Sequence, residues 1–379
     1  MPVVTCIEDL REIAKRRVAR TIFEYVDRGS YDERTLRANR ADLEAICLRQ
    51  RVAVDVERRS TRSTLLGREV AMPAALAPIG LLGLNWANGE VLAARAAQRF
   101  GIPFTLSTMS ICSIEDVAQG TDQPFWFQLY VMRDRGFAAS LIERAKAARC
   151  SALVLTLDLQ IQGQRHRDLK NGLAVPPRLT WRTFWDIAMR PRWALNVLGS
   201  KRKSFGNLEG RIPEADSVSK LAEWVGRQFD PTLSWKDVEW VKTQWGGPLV
   251  LKGILDAEDA RIALASGADA IVVSNHGGRQ LDGALSSIRA LPEVAAAVGG
   301  RVEVWLDGGV RSGQSLLKAL ALGAQGVLLG RAFVYGLGAM GEAGVTRALE
   351  VIQKELDVTM ALTGIRDVKQ ASPEILRAA

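Results

Sequence analysis

Residues 270–278 read AIVVSNHGG, and residues 302–309 read VEVWLDGG. Each is a short run of β-branched and other apolar residues that ends in polar residues and paired glycines, which is the pattern of a buried parallel strand followed by a loop. The same pattern recurs in AALAPIG at 74–80, PFTLST at 103–108, FWFQLY at 125–130, ALVLTLD at 152–158, PLVLKG at 248–253 and GVLLGR at 326–331. The sequence therefore predicts eight buried strands.

The stretches between these runs have the spacing of amphipathic helices. NGEVLAARAAQRFG, AEDARIALASG and SGQSLLKALALG carry apolar residues at helical spacing and end in glycine, as helices often do. The alternation of strands with helices predicts an α/β fold, a closed TIM (β/α)8 barrel. A doubly wound sheet is the alternative, but no G-x-G-x-x-G motif opens a helix after the first strand, which favours the barrel.

The strand spacing also divides the chain, which we interpret as a single domain over residues 1–379. Residues 1–70 are predicted to cap the barrel as helices, beginning with an amphipathic helix in MPVVTCIEDLREIAKRRVARTIFEYV, which lacks the pattern of a secretory signal. The barrel takes residues 71–336, with a long insertion at 160–247 between the fourth and fifth strands, and residues 337–379 form a C-terminal helical segment. Long insertions in compact domains usually have a function.

The insertion also carries the charge of the chain. The net charge is +8, and between Arg165 and Arg211 eleven Lys and Arg residues stand against three acidic ones, which accounts for the whole excess. Basic and aromatic residues are interleaved in WRTFWDIAMRPRWALNVL. We therefore predict that residues 177–205 bind an anionic membrane surface or an acidic redox partner. Packing of the aromatic residues over the barrel mouth or between subunits is the alternative, and nucleic-acid binding is disfavoured because no such motif is present.

Two further classes of protein are disfavoured. The longest uncharged stretch, Val70 to Gly89, is interrupted by proline and glycine and does not predict a membrane-spanning helix. No metal site is expected, because only two histidines are present and no CxxC pair occurs among the widely spaced Cys6, Cys47, Cys112 and Cys150. Reduced thiols predict a cytoplasmic protein, peripheral on the inner face of the cell membrane if the basic segment binds lipid.

Polar residues and glycines follow every predicted strand. In a TIM barrel the carboxyl ends of the strands meet on one face, and the active site lies there. The residues at this face are Gly80, Ser107, Gln128, Tyr130, Thr156, Asp158, Lys252, Ser274, His276, Asp307, Gly308, Gly309, Gly330 and Arg331. The last two strands end in LDGGVRSG and LLGRAF, whose glycines, with Arg311 and Arg331, predict a phosphate site of the kind that barrels often build from backbone N–H groups and a helix amino end.

His276, within SNHGGRQLDG, is the candidate base. It is one of two histidines, and imidazole is the side chain best suited to proton transfer near neutral pH. Asp158 is a candidate to orient the ring and stabilise its charged form. The alternatives are a structural histidine and a hydrogen bond of Asp158 at the barrel rim.

These segments, together with LTLDLQIQGQRHRD, WFQLY, LVLKG and GVLLGR, resemble the FMN-dependent 2-hydroxy-acid oxidase/dehydrogenase family over nearly the whole chain. The chain is most similar to its bacterial flavin L-lactate dehydrogenase branch, through GIPFTLST, WFQLYVMRDRG and NHGGRQLDGALSS. The resemblance implies FMN as cofactor and oxidation of a short L-2-hydroxy acid, with L-lactate first and mandelate-type or glycolate-type substrates as alternatives. An FMN barrel acting on a phosphorylated substrate is more remote, since it would not need paired arginines beside a histidine base.

The resemblance also implies roles for individual residues. His276 would be the base, and Arg165 and Arg279 would bind the substrate carboxylate, a task for which the arginine fork is well shaped. The substrate would also meet Tyr25 and Tyr130. The FMN ring, ribityl chain and phosphate would be held by Pro78, Ile79, Gly80, Ser107, Gln128, Thr156, Lys252, Ser274, Asp307, Gly308, Gly309, Arg311, Gly330 and Arg331.

Two positions depart from the family pattern. Gln164 stands where members often carry an arginine, and Met109 stands where glycolate-type members tend to carry a tryptophan. The second departure bears on the size of the substrate pocket. Related proteins are commonly homotetramers, so a homotetramer is expected, whereas the electron acceptor stays open among a quinone, a cytochrome and oxygen.

Overall fold

Eight parallel strands surround the core of the protein in a computed structural model that describes residues 3–172, 181–202, 204–209 and 224–377. From the second strand of the barrel onward each strand pairs with the next in chain order, and the last pairs with the first. A bridge from Leu76 to Phe104 joins the first strand to the start of the second. This arrangement confirms the predicted barrel. The strands are β4 Ala74–Leu76, β5 Thr105–Ser107, β6 Trp126–Leu129, β7 Ala152–Thr156, β8 Leu249–Ile254, β9 Ala270–Ser274, β10 Glu303–Asp307 and β11 Gly326–Leu329.

The strands are apolar because helices cover the barrel from outside and side chains fill it from inside. Every residue of β9, for example, is buried. The helix Gly89–Phe100 ends in glycine as predicted, since Gly101 has the left-handed φ of 84°. The helices around the barrel include α4 Leu82–Asn85, α5 Gly89–Phe100, α6 Ile114–Gly120, α7 Arg135–Ala147, α12 Ala257–Ala265, α13 Ser287–Val298, α14 Gly313–Ala321, α15 Arg331–Met340 and α16 Glu342–Thr363.

The segment before the barrel is only partly helical. It begins with α1 Ile7–Arg17, α2 Arg20–Asp27 and α3 Arg34–Ala45, so the predicted first helix is two helices, separated where Val18 and Ala19 leave the helical conformation. The expectation of helices up to residue 70 was wrong in its last third. A hairpin forms there instead, between β2 Ser63–Leu65 and β3 Arg68–Val70, because Leu66 and Gly67 both adopt the positive φ that a tight hairpin turn requires. The short strands β1 Cys47–Leu48 and β12 Leu376–Arg377 also pair.

Four helices of the predicted insertion at 160–247 have both ends in the described part of the chain. They are α8 His166–Lys170, α9 Trp181–Ala188, α10 Pro191–Leu198 and α11 Trp235–Trp245. Helix α11 packs against α7 and connects β7 to β8 as the ordinary helix of the fourth βα unit, so the end of the predicted insertion belongs to the barrel. Residues 173–180, 203 and 210–223 lie outside the described part of the chain. They include part of the segment 177–205 that is predicted to bind a membrane surface or a redox partner, with Lys203 among them. No helix in the described ranges has the length and apolar character to cross a bilayer.

Candidate active site

A cavity of about 680 Å³ opens at the carboxyl ends of the barrel strands. It brings together most of the predicted residues, which are Tyr25, Pro78, Ile79, Gly80, Ser107, Tyr130, Arg165, Lys252, His276, Arg279, Asp307, Gly308, Gly309, Arg311, Gly330 and Arg331. Four others stand behind this lining, namely Gln128, Asp158, Thr156 and Ser274. Both departures from the family pattern, Met109 and Gln164, line the cavity as well.

His276 forms a close pair with Asp158 at the edge of the cavity. Nδ1 of the imidazole lies 2.8 Å from Oδ1 of the carboxylate. An ionised carboxylate only accepts hydrogen bonds, so Nδ1 carries the proton and Nε2 is left with its lone pair. The main chain of His276 has the left-handed φ of 58°, which places the ring beyond the end of β9, and its N–H donates to Ser274 Oγ at 3.0 Å. The histidine is therefore held by both its ring and its backbone.

A pair of buried amides holds the loop that carries His276. Asn39 of α3 and Asn275 exchange two hydrogen bonds of 2.8 Å, one in each direction. Asn275 Oδ1 also accepts from the N–H of Gly278 at 3.0 Å, and its Nδ2 donates to the carbonyl of Leu285. Sequence reasoning missed this pair, because the two asparagines lie far apart in the chain and only the packing of α3 against the His276 loop brings them together.

Two arginines lie on the ring of Tyr25. The guanidinium carbon of Arg279 is 4.7 Å from the ring centroid, and that of Arg165 is 5.3 Å from it. Arg279 donates to the carbonyls of Tyr25 and Arg28, and Arg165 forms an ion pair of 3.3 Å with Asp168. Burial and the neighbouring cation lower the pKa of Arg279 to about 10, so it remains charged at neutral pH. Such a pair of cations suits the carboxylate of a small acid.

Tyr130 and Asp168 also have shifted pKa values in this region. Burial, reinforced by the nearby Asp158, raises the pKa of the Tyr130 phenol far above its usual range, so this hydroxyl stays protonated and available as a donor. Burial raises the pKa of Asp168 as well, although Arg165 and Arg279 oppose the shift. Sequence reasoning did not assign Asp168 to the site, although its position three residues after Arg165 on α8 was a usable signal.

Lys252 and Asp307 form a buried ion pair where β8 and β10 end. Lys252 Nζ lies 2.9 Å from Asp307 Oδ2 and donates to Ser274 Oγ at 3.0 Å, and Ser274 Oγ donates to the same carboxylate oxygen at 2.8 Å. Burial opposes both charges, but the pairing outweighs it, raising the pKa of Lys252 and lowering that of Asp307. A fixed cation therefore stands at the floor of the cavity.

Unpartnered polar atoms mark the neighbouring strand ends. Gln128 Nε2 and Thr156 Oγ1 are buried, and neither has a hydrogen-bond partner among the described residues. Gln128 is held through its other amide atom, Oε1, which accepts from Ser107 Oγ at 3.1 Å. Buried polar groups normally have partners. These two atoms are therefore available to a polar group bound at the end of the barrel.

The glycines of the predicted phosphate site have different reasons to be glycine. A Cβ on Gly309 would stand 2.1 Å from the carbonyl oxygen of Asn39, so packing against the cap requires glycine there. A Cβ on Gly330 would meet protein only at ordinary contact distance, with Ile79 Cδ1 at 3.7 Å, and it would occupy space in the cavity. Gly330 thus leaves room beside the amino end of α15, where backbone N–H groups and the helix dipole favour an anion.

The two arginines of this region differ as well. Arg331 donates to the carbonyls of Val26, Gly277 and Arg28 at 2.7, 2.9 and 3.0 Å, so most of its fork ties the cap to the His276 loop. Arg311 lies 5.7 Å from the ring centroid of Tyr335 and donates to the carbonyl of Val310. Burial lowers the pKa of Arg311.

The cavity has further walls that the strand-end pattern did not predict. They come from the cap, from α4, from the loop after β7 and from the insertion, and include Val26, Leu84, Leu159, Asp168, Phe205, Val225 and Phe229. Phe229 meets Tyr130 edge to face, with ring centroids 6.4 Å apart. The insertion therefore contributes part of the site.

Comparison with known proteins identifies the class of enzyme that carries this site. Residues 14–378 match the family described as FMN-dependent dehydrogenase, and the chain belongs to that family. It is an FMN-dependent 2-hydroxy-acid dehydrogenase, which confirms the predicted family and cofactor.

Individual relatives extend the match over the full length. The chain is 49% identical to an L-lactate dehydrogenase of Caulobacter sp. strain K31 over 375 residues, which are 99% of this chain and 98% of that protein. The L-lactate dehydrogenase of Caulobacter vibrioides strain NA1000 / CB15N is also 49% identical, over 376 residues, with the same coverage of 99% and 98%. The crystal structure of the monotopic membrane protein (S)-mandelate dehydrogenase superposes with a TM-score of 0.95, at 37% identity and with all of both chains covered.

The residues present fit FMN. Polar groups for an isoalloxazine ring come from the unpartnered atoms Gln128 Nε2 and Thr156 Oγ1 and from the Lys252 cation. The space beside Gly330 provides room for a phosphate. This fit rests on polar atoms that have no partner among the described residues and on space that no protein atom occupies.

Proposed function

We propose that the chain oxidises a short L-2-hydroxy acid, L-lactate in the first place, to the corresponding 2-keto acid. The observation that carries this proposal is the shared cavity of the His276–Asp158 pair and the Arg165–Arg279 pair. One pair handles a proton and the other binds a carboxylate, and a 2-hydroxy acid carries both groups on adjacent carbons. The L-lactate dehydrogenases of Caulobacter support lactate as the substrate.

Each group of residues has a separate task in this proposal. Arg165, Arg279 and Tyr25 bind the carboxylate, and the protonated phenol of Tyr130 binds a substrate oxygen. Nε2 of His276 accepts the proton that leaves the substrate, and Asp158 stabilises the imidazolium that forms. FMN, when bound, accepts the two electrons of the oxidation.

The cofactor is held by the strand ends in the same proposal. The ring is bound by Pro78, Ile79, Gly80, Ser107, Gln128, Thr156, Lys252 and Ser274, and the ribityl chain by Asp307 and Gly308. The phosphate is bound by the main chain around Gly309 and Gly330 and by Arg311. Arg331 contributes through the amino end of α15 and by holding the surrounding loops. The fixed positive charge of Lys252 would favour the acceptance of electrons by the bound ring.

A mandelate-type substrate is the second candidate, and two observations favour it. The (S)-mandelate dehydrogenase structure matches this chain at a TM-score of 0.95. Gly80 and Met109 both line the cavity, and neither is a bulky aromatic. A Cβ added at Gly80 would lie 3.1 Å from the Met109 carbonyl oxygen, so the two positions are close together.

Substrate kinetics test the proposal. The purified yellow protein is mixed anaerobically with L-lactate, and bleaching of the flavin reports its reduction. Comparison of kcat/KM for glycolate, L-lactate and both enantiomers of mandelate then orders the substrates. We expect L-lactate first and (S)-mandelate second, because an apolar pocket discriminates only weakly against extra methylene groups, by about 1–3 kcal/mol each. A clear preference for glycolate, or no bleaching, would refute the proposal.

We further infer that the chain is peripheral on the inner face of the cell membrane, through helices α9 and α10. Trp181, Trp185 and Leu195 are 75%, 61% and 78% exposed, which is unusual for large apolar side chains grouped on neighbouring helices. The monotopic membrane (S)-mandelate dehydrogenase supports this inference. Assembly into a homotetramer also stays a proposal, which light scattering on the purified protein tests, and the electron acceptor stays open.

A further inference from the structure

Glu90 is a completely buried carboxyl group directly behind the cavity wall, with an exposure of 0%. It is the second residue of α5. Its Oε1 accepts a hydrogen bond from the N–H of Gly83 at 3.1 Å and another from the N–H of Ile111 at 2.9 Å. Gly83 lies in α4, after β4, and Ile111 lies in the loop after β5. A single oxygen atom therefore ties two separate βα loops together.

These two loops form one apolar wall of the cavity. The first contributes Gly80, Leu81 and Leu84 to the lining, and the second contributes Met109 and Ile111. The loops also touch directly, since the N–H of Leu81 donates to the Met109 carbonyl at 3.0 Å. This contact and the two hydrogen bonds to Glu90 fix the separation of the loops.

The packing behind this wall does not allow the two loops to move closer together. A Cβ on Gly83 would lie only 2.6 Å from Cβ of Ile111, so the two loops already meet at their closest approach. The two N–H groups that donate to Glu90 are buried. Without this acceptor, the loops would have to separate before water could hydrogen-bond to these N–H groups.

The side chain of Glu90 acts as a hydrogen-bond acceptor for main-chain groups. Its Oε2 has no hydrogen-bond partner among the described residues, and the described residues place no cation in an ion pair with it. Burial raises the pKa of Glu90, and burial together with the neighbouring Glu90 raises the pKa of the Cys112 thiol. An amide can replace such a group without loss of the two hydrogen bonds.

We propose that Glu90 is a positioning residue. It sets the separation of the two loops that form this wall, and thereby the selectivity of the enzyme for the substrate side chain. The proposal rests on the proposed function, in which the arginines and His276 hold the carboxylate and hydroxyl, which leaves the apolar wall to meet the side chain. Selectivity then depends on how tightly the two loops are held together, because contact with a small methyl group is lost when the wall widens.

The test compares Glu90→Met, Glu90→Gln and wild type in kcat/KM for L-lactate and (S)-mandelate, with bound flavin and melting temperature measured alongside. Glu90→Met removes the acceptor, and we expect the ratio of lactate to mandelate to fall by about tenfold, mainly through KM for lactate. Glu90→Gln keeps the acceptor and should stay within twofold of wild type. Glu90→Asp, which is one methylene shorter, should fall between them and replaces Glu90→Met if that variant does not fold.

Lys318→Met is the matched control. Lys318 of α14 is also buried and also bonds main chain, donating to the Leu43 carbonyl at 2.8 Å, but it does not line the cavity. It should lower the melting temperature and leave the substrate ratio unchanged. An unchanged ratio of kcat/KM for the two acids in a flavin-loaded Glu90→Met enzyme, or equal losses of kcat on both acids, would overturn the proposed role of Glu90. The proposed function would stand. Failure of wild type to oxidise either acid would overturn the proposed function and this proposal with it.

Discussion

Nδ1 of His276 lies 2.8 Å from Oδ1 of Asp158, across residues that are 118 positions apart in the chain. The second oxygen of this carboxylate is buried and has no partner among the described residues. The carboxylate of Asp158 therefore makes its side-chain hydrogen bond to the histidine, and its negative charge lies beside the imidazole ring. That arrangement orients the imidazole and favours its protonated form once a proton has been taken up.

Asp158→Asn should therefore lower kcat while leaving KM for L-lactate near its wild-type value. The amide preserves size but not the negative charge, and we expect a loss of about 10²- to 10⁴-fold, as for other groups that assist proton transfer. Steady-state kinetics provide the measurement. Asp259→Asn, on α12 and outside the cavity lining, is the control and should behave as wild type. Full activity in Asp158→Asn would show that the pair is only structural.

Arg165→Lys and Arg279→Lys should each raise KM and lower kcat together. A lysine provides a point charge but neither the two-pronged contact with a carboxylate nor the stacking on Tyr25. We expect the larger loss for Arg279, because its guanidinium also binds the carbonyls of the cap. Kinetics with L-lactate and with lactamide separate the effects. Turnover of the amide as good as that of the acid would contradict carboxylate binding by this pair.

Gly330→Ala and Gly309→Ala should fail in different ways. The methyl group at Gly330 takes space in the cavity, and overpacking of about 1–3 kcal/mol would raise the Kd for FMN roughly tenfold or more. The methyl group at Gly309 meets the Asn39 carbonyl, so that variant should lose thermal stability even without FMN. Flavin titration and melting of the apoprotein distinguish them. Unchanged FMN affinity in Gly330→Ala would remove Gly330 from the phosphate site.

Anionic vesicles should sediment the wild-type protein at low salt, and neutral vesicles should not. Basic residues contribute about 1 kcal/mol each near an anionic leaflet, and exposed tryptophans favour the interface. Replacement of Lys201, Arg202 and Lys203 by Gln, or of Trp181 and Trp185 by Ser, should abolish sedimentation. Val52→Ser, which alters a 77% exposed residue outside the segment, should not. Absence of wild-type binding at low salt would favour packing of the aromatic residues within the protein assembly.

The barrel was predictable because each strand is an uninterrupted apolar run bounded by glycine or polar residues. The predicted insertion, in contrast, is bounded only by the spacing of the strands, so it includes helix α11, which buries mainly Val238, Val241 and Trp245. The hairpin around Leu66 and Gly67 was missed because its strands are only three residues long, too short for an alternating pattern to stand out.

The site was predictable where strand ends supply it, since a barrel brings those residues to one face whatever the rest of the chain does. Contacts between distant segments had no such signal. Asn39 and Glu90 look like ordinary polar residues at the surface of a helix, and only tertiary packing buries them against the His276 loop and the cavity wall. The fork of Arg331 is a similar case, because its three carbonyl partners come from the cap and from the loop after β9.

Anaerobic reduction of the bound flavin by L-lactate in His276→Gln shows whether His276 is the base. The variant should purify with FMN, since its phosphate and ring contacts are intact, and stopped-flow absorbance should show flavin reduction slowed by at least about 10²- to 10⁴-fold relative to wild type. Flavin reduction at a rate near that of wild type would show that His276 is not the base.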